Sequence, residues 1–277
     1  MPWRVAAVVL VAALLHAAWN AVLRRSRDRA LETVRVAAGA GIVSAAGLLA
    51  LPAPAPASWP FIAASALIHT AYFALLAAAY RGAFAPAYTV MRGAAPVLVA
   101  LATSTLGVDA LSGSSWAGIA LVCVGVAGLG APLVHGGVPG RAFLVALANA
   151  CVIAAYTLVD GTGVRRAAHP ASYTLWIFAL DAVPLVAWAL GARGASALLG
   201  GLADAGRALA TGALTTGAYA LVLWAMTRAP VAAVAAMRET AIVFAWLIGA
   251  CTLRERPTAR TLAAAALVAA GAALVKL

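Results

Sequence analysis

Apolar runs of about 20 residues, each long enough to cross a bilayer as a helix, recur along almost the whole chain, and the connections between them are mostly a few residues long. That pattern decides the fold class. Inside hydrocarbon every backbone amide needs an internal partner, which leaves helices or closed barrels, and runs this long and uniform read as helices. Composition points the same way: 65% of the 277 residues are hydrophobic and 10% charged, with a mean hydropathy of +1.00. Ordinary globular chains carry roughly 25% charged residues. No polar block is large enough for a separate soluble domain. The expected class is an all-α, multi-pass membrane protein in contact with lipid.

Gly, Pro and Arg punctuation divides the runs into ten spans, near 3–23, 31–51, 60–80, 86–107, 115–134, 142–160, 171–190, 206–227, 230–252 and 259–276. The eighth is the least sharply bounded, because "ASALLGGLADAGRALATGAL" drifts from loop into helix. Arg4 and the apolar stretch after it have the outline of a cleaved signal peptide, but the repeat described below makes that stretch the first span. Lys+Arg number 19 against 8 Asp+Glu. Lys276 is the only lysine, and most arginines stand in short connections, where basic residues orient spans and meet anionic headgroups. This distribution argues against nucleic acid as a partner. Leaving out arginines inside helices, five basic residues fall on one side and ten on the other. The positive-inside rule then places both termini away from the cytoplasm. Cys123, Cys151 and Cys251 lie inside apolar runs without paired spacing, so neither a disulfide framework nor a metal site is expected.

The two halves resemble each other. "AYFALLAAAYR" (71–81) aligns with "AYALVLWAMTR" (218–228), and "MRGAA" with "MRETA", which pairs Arg92 with Arg238. "AAWNAV" aligns with "AAYTLV", pairing Trp19 with Tyr156, and Gly125 stands opposite Gly271 at the offset that pairs the arginines. These matches keep one order and point to a duplication, with units 1–137 and 138–277. A five-span unit is odd, so tandem copies insert in opposite directions. The result is a pair of inverted five-helix repeats, an architecture that in many secondary transporters encloses a midplane site. A duplicated scaffold with a packed interior is the other reading.

With Trp19-Asn20 late in the first span, Ala85-Pro86 and Ala229-Pro230 before the fourth and ninth, and Gly-rich last spans in each half, the chain resembles the drug/metabolite transporter superfamily, specifically its ten-helix EamA-type members. The resemblance covers essentially all 277 residues. It implies a secondary carrier, often an exporter of amino acids or related metabolites, with a central cavity between the halves. Such families commonly have a polar residue just after the fourth span, a place that Asp109 fills. The proline often found within the fourth and ninth spans appears as Pro96 but not at the corresponding Ile242, so the ninth helix is expected to be the straighter one.

Intramembrane polar residues mark the expected site. A guanidinium at the middle of an apolar helix costs at least about 2.5–3.5 kcal/mol on insertion scales, so it is kept where water, an acid or an anionic ligand compensates it. Arg92 and Arg238 are therefore expected to bind a carboxylate, unless each snorkels to its nearby interface. Glu239 and Asp181 are the candidates for carrying a coupling proton, with a structural ion pair as the alternative for each. Asp160, at the expected end of the sixth span, reads as a solvated or capping residue. His16, Trp19 and Asn20 share one helical face. With His69, Tyr72, Tyr80, Tyr88, Tyr156, Trp176 and Tyr219 they compose an amphipathic wall suited to a small zwitterion. The competing reading is interhelical packing by His and Asn. Trp3, Trp59 and Trp116 read as interfacial anchors.

The chain has no Walker phosphate loop, no HExxH and no GxSxG, so an enzyme is not expected. Neither a cofactor nor a metal is called for. The sequence expectation is a carrier of a small organic solute such as an amino acid, exporting by alternating access with proton coupling, in the bacterial cytoplasmic (inner) membrane. An importer or facilitator of a small organic anion, and a non-transporting scaffold or accessory subunit, remain open. Each half already has its inverted partner, so a monomer suffices.

Overall fold

The computed structural model describes residues 1–26, 28–80, 84–130, 140–253 and 258–276; the side chains of 24, 76–80, 84–89, 130, 197, 199, 252 and 253 lie outside that description. Among the described residues the regular structure is wholly helical. The helices are α1 (Trp3–Arg25), α2 (Arg29–Leu48), α3 (Trp59–Tyr80), α4 (Phe84–Thr105), α5 (Gly113–Gly130) and α6 (Gly140–Val164), then α7 (Pro170–Arg193), α8 (Ala195–Leu199), α9 (Leu202–Met226), α10 (Val231–Arg238), α11 (Ala241–Leu253) and α12 (Ala259–Lys276), with a 3₁₀ turn at Pro56–Ser58. Among the described residues eight stretches are long and apolar enough to cross a membrane, Val231–Cys251 counting as one, and Val90–Thr105 and Gly113–Leu129 are shorter apolar helices. Together they make the ten-helix membrane fold. The boundary expected at 137/138 lies outside the described residues.

Contacts between connections agree with ten alternating crossings. On the face that carries the termini, the Ala55 amide donates to the Ala167 carbonyl (3.1 Å) and Ser172 Oγ to the Pro52 carbonyl (2.7 Å). On the opposite, arginine-rich face, Arg193 pairs with Asp28, and Arg35 Nε donates to the Leu198 carbonyl (3.1 Å). Asp28 also caps α2, its carboxylate accepting from the Leu31 amide.

Helix neighbours exchange when each of the first five spans is swapped for its counterpart in the second five. α5 packs on α12 and α2 on α7; α2–α9 is matched by α7–α3, α3–α6 by α9–α1, and α4–α6 by the α10/α11 pair on α1. Lipid supplies no hydrophobic drive between helices, so close backbone approach holds such pairs together. A Cβ on Gly118 would sit 2.7 Å from the Gly271 carbonyl oxygen, and one on Gly125 2.8 Å from that of Ala264. These two crossings are mates at one register, since 118 is to 264 as 125 is to 271. α2 and α9 approach likewise at Gly39 and Gly212, where a Cβ would collide with the opposing backbone.

Three sequence expectations change. The loop before α9 contains α8, bracketed by Gly194 (φ 80°) and Gly200 (φ 57°), left-handed positions that stop a helix without a Cβ penalty. α6 continues through Val164, so Asp160 lies inside the bundle rather than at a solvated end. The ninth span is not the straighter helix. α4 runs unbroken past Pro96, whereas the ninth span divides at Glu239–Thr240 into α10 and α11. There the amides of Glu239, Thr240, Ile242 and Val243 donate three residues back, and Thr240 Oγ donates to the Met237 carbonyl (2.8 Å). Tightening to this spacing inside a helix often marks a functional hinge or a strained sequence. The largest core cluster lies toward the terminal face, built on Val9, Ile62, Tyr173, Ile177, Met226 and the fully buried α10.

Candidate functional site

The other half of the bundle, toward the arginine-rich face, contains a cavity of about 180 Å³. Its lining comes from the late part of α1, the early part of α2, and the middles of α3, α6, α7 and α9, together with α4 and the α10–α11 break. His16, Trp19, Asn20, His69, Tyr72, Arg92, Tyr156, Tyr219, Asp181 and Arg238 all line it. Helical spacing explains the first three: they share a face of α1, and that face turns inward, where hydrogen-bond partners exist.

The two arginines at matching repeat positions end in different circumstances. Arg92, 8% exposed, is ion-paired with Glu239 through Nη2 and Oε2 at 3.0 Å, and Glu239 is 1% exposed. Arg238, 6% exposed, lines the cavity, and its Nε is buried without a hydrogen-bond partner. Among the described residues no carboxylate forms an ion pair with it. Neither arginine is exposed, as snorkelling would require. Arg238 closes α10, and the break that follows turns Glu239 aside to meet Arg92 on α4.

Opposite stands an acid–imidazole pair. His69 Nδ1 lies 3.2 Å from Asp181 Oδ2 and 3.2 Å from Ser65 Oγ, while Asp181 Oδ1 is buried without a partner. The His69 ring is 4.4 Å from that of Tyr156, which meets Tyr72 edge-on at 6.0 Å. Trp19 meets His16 edge-on at 5.3 Å, and its indole Nε1 is a further buried donor without an acceptor. Asn20 donates instead to the His16 carbonyl (2.8 Å). The cavity thus presents a cation, a half-satisfied carboxylate and aromatic walls.

Sequence reasoning missed Asp160. It is wholly buried and accepts from Tyr219 Oη (2.6 Å) and Tyr173 Oη (3.2 Å), which fixes the Tyr219 ring against the cavity. Phe73 and Phe178 also line the cavity. No signal could have found them, since an aromatic in an apolar helix is indistinguishable from one facing lipid. Glu239 is beside the cavity, not in its lining. Trp176 packs against Trp59 (4.9 Å between rings) and takes no part in the lining. Trp3 and Trp59 are exposed, whereas Trp116 is partly buried against the core. The side chains of Tyr80 and Tyr88 lie outside the described residues. Asp109, after the fourth span, accepts from the Val231 amide (2.6 Å) at the start of α10 and from Arg165 Nη2 (3.0 Å). Arg165 also donates to the carbonyls of Met226 (2.8 Å) and Ala229 (3.0 Å). These bonds tie three connections together on the terminal face, over the sealed end. Among the described residues no group of three or more His, Cys, Asp or Glu is placed to hold a metal ion.

Ten apolar helices around a polar chamber sealed at one end define an integral multi-pass membrane transporter. The EamA-like transporter family matches residues 140–277, and the chain belongs to that family, within the drug/metabolite transporter superfamily. A solved crystal structure of a protein superposes with a TM-score of 0.77 at 20% sequence identity, covering 99% of this chain and 96% of that one, a likeness that establishes the fold. No curated protein matches the chain by sequence.

Proposed function

We propose that the protein exports a small amphipathic zwitterion, an amino acid or a close relative, by alternating access in exchange for protons. One observation carries the reading: Arg238 is a buried cation on the cavity wall, and among the described residues no carboxylate pairs with it. A buried charge left uncompensated is expensive, and a substrate carboxylate is the group that relieves it, bidentately and with charge-assisted hydrogen bonds. Arg92 has Glu239 and is the weaker candidate. The free Oδ1 of Asp181 is the matching acceptor for an ammonium group, and the rings of Tyr72, Tyr156, Phe73 and Phe178 suit an apolar or aromatic side chain. At about 180 Å³ the cavity is smaller than the roughly 300–1,000 Å³ of pockets for drug-sized ligands. A dry scaffold has no use for such a chamber.

The positive-inside rule assigns the arginine-rich face to the cytoplasm of a bacterial inner membrane. The chamber then lies on the cytoplasmic side of a sealed periplasmic half, the state in which an exporter loads. The duplicated units, 1–137 and 138–277, rock about it, and the exchanging helix neighbours support that division and a working monomer. For the proton, Asp181 with His69 is favoured over Glu239 because it lines the cavity. The ionisable groups that share this lining are His16, His69, Arg92, Arg238 and the phenols of Tyr72, Tyr156 and Tyr219, and Asp160 holds the Tyr219 hydroxyl. The test is flux in proteoliposomes loaded with L-phenylalanine. An imposed proton gradient should drive uphill efflux in the wild type, and Asp181→Asn should leave only downhill exchange. Uphill efflux that persists when a protonophore collapses the gradient overturns the coupling.

A further inference from the structure

We infer that Gly93 is the specificity-determining position that leaves Arg238 open to an anionic ligand; the inference rests on the cavity reading above. Two reciprocal crossings fix the register between the halves: Gly118 against Gly271, and Gly125 against Ala264. In that register, which also pairs Arg92 with Arg238, residue 93 corresponds to residue 239. By the repeat register the counterpart of the Arg92–Glu239 ion pair is Arg238 with residue 93, on an α4 that runs unbroken where α10 and α11 divide. The first half has glycine there. One cation is neutralised by the other half of the protein, and among the described residues its twin has no carboxylate to meet.

Room for a Cβ at residue 93 exists. Among the described residues a Cβ on Gly93 would meet the Cys123 carbonyl oxygen and Val126 Cγ1, each at 3.8 Å, which is ordinary contact. Steric crowding is thus not what keeps glycine at this position. A carboxylate at residue 93 is the internal competitor of a ligand carboxylate: it gives Arg238 the partner that Arg92 already has. Its absence turns a nearly symmetric pair of ion pairs into one structural bridge and one binding site.

The test needs no knowledge of the natural solute. Gly93→Glu and Gly93→Gln place the same shape at the position, with and without charge. Apparent melting of the detergent-solubilised protein should be higher for Gly93→Glu than for Gly93→Gln by about 5 °C or more. That advantage should vanish or reverse when Arg238→Gln is added, since the new carboxylate is then stranded without a partner. In a binding assay, Gly93→Glu should hold L-phenylalanine at least ~10-fold more weakly than Gly93→Gln. Equal melting of the two variants, or an advantage that survives Arg238→Gln, overturns the inference while leaving the cavity reading standing. Undiminished L-phenylalanine binding by Arg238→Gln alone, or no binding by the wild type, overturns the cavity reading and this inference with it.

Discussion

Glu239→Gln isolates the energetics on which the site is built. It keeps the side chain's shape and removes the charge that faces Arg92 3.0 Å away. With charge centres about 4 Å apart and an effective dielectric near 20, the pair's attraction is about 4 kcal/mol. Measured costs of stripping one member from a buried pair run to about 3–5 kcal/mol, because the other charge is left stranded. Both residues are nearly inaccessible, so solvent does little to screen the loss. For a chain of this size each kcal/mol moves a melting midpoint by about 2–4 °C, so an apparent shift of about 6–20 °C is expected. Adding Arg92→Gln removes the stranded charge, and the double variant should recover most of that shift. The assay is apparent melting of purified protein in detergent, with all four members of the cycle compared. A Glu239→Gln protein melting within 2 °C of wild type, or a double variant worse than both singles, refutes the claim that this pair is a structural bridge.

Other perturbations reach the remaining parts of the account. Gly271→Val places a side chain 2.6 Å from the Gly118 carbonyl oxygen and should abolish folded yield on size exclusion, whereas Gly217→Val, with nothing within 4 Å of its Cβ, should fold. Arg165→Ala cuts the bonds that tie three connections over the sealed end. In a background lacking Cys123, Cys151 and Cys251, a Phe178→Cys reporter should then react faster with an impermeant maleimide added at the terminal face; an unchanged rate contradicts a latch there. Asp28→Ala should cost about 1 kcal/mol of stability. The Leu31 amide and then the Arg193 guanidinium hold the Asp28 carboxyl below its ordinary 3.8. Its contribution is therefore full above that value and fades as pH falls through the lowered one, so the Asp28→Ala deficit seen at pH 7 should disappear in acid melting curves.

What was legible in the sequence follows from what a bilayer enforces. Apolar runs had to be helices, so ten spans appear where length and punctuation place them, and inward-facing His16, Trp19 and Asn20 follow from the lack of partners in lipid. Arg92 and Arg238 stood out for the same reason. Partners across helices were not legible, because no spacing rule joins residue 92 to 239 or 69 to 181. Asp160 was misplaced by a helix end drawn four residues early, which turned a buried tyrosine-bonded acid into a surface one. The break at Glu239–Thr240 carries no proline or glycine to announce it. It is made by hydrogen bonding three residues back and by the Thr240 hydroxyl, choices that only the surrounding packing settles. Trp176, on an apolar helix with two faces to choose from, turned to Trp59 rather than to the cavity.

The central claim is that Arg238 waits for a carboxylate. Equilibrium binding of L-phenylalanine, of phenylalanine amide and of 3-phenylpropanoate to the purified protein, with and without Arg238→Gln, tests it most directly. A charge-assisted contact is worth about 1.5–3 kcal/mol, roughly 10–150-fold in affinity. The account predicts that Arg238→Gln weakens the acid and the zwitterion by that factor and leaves the amide's weak binding unchanged. Equal weakening of all three ligands, or no weakening of any, would contradict it.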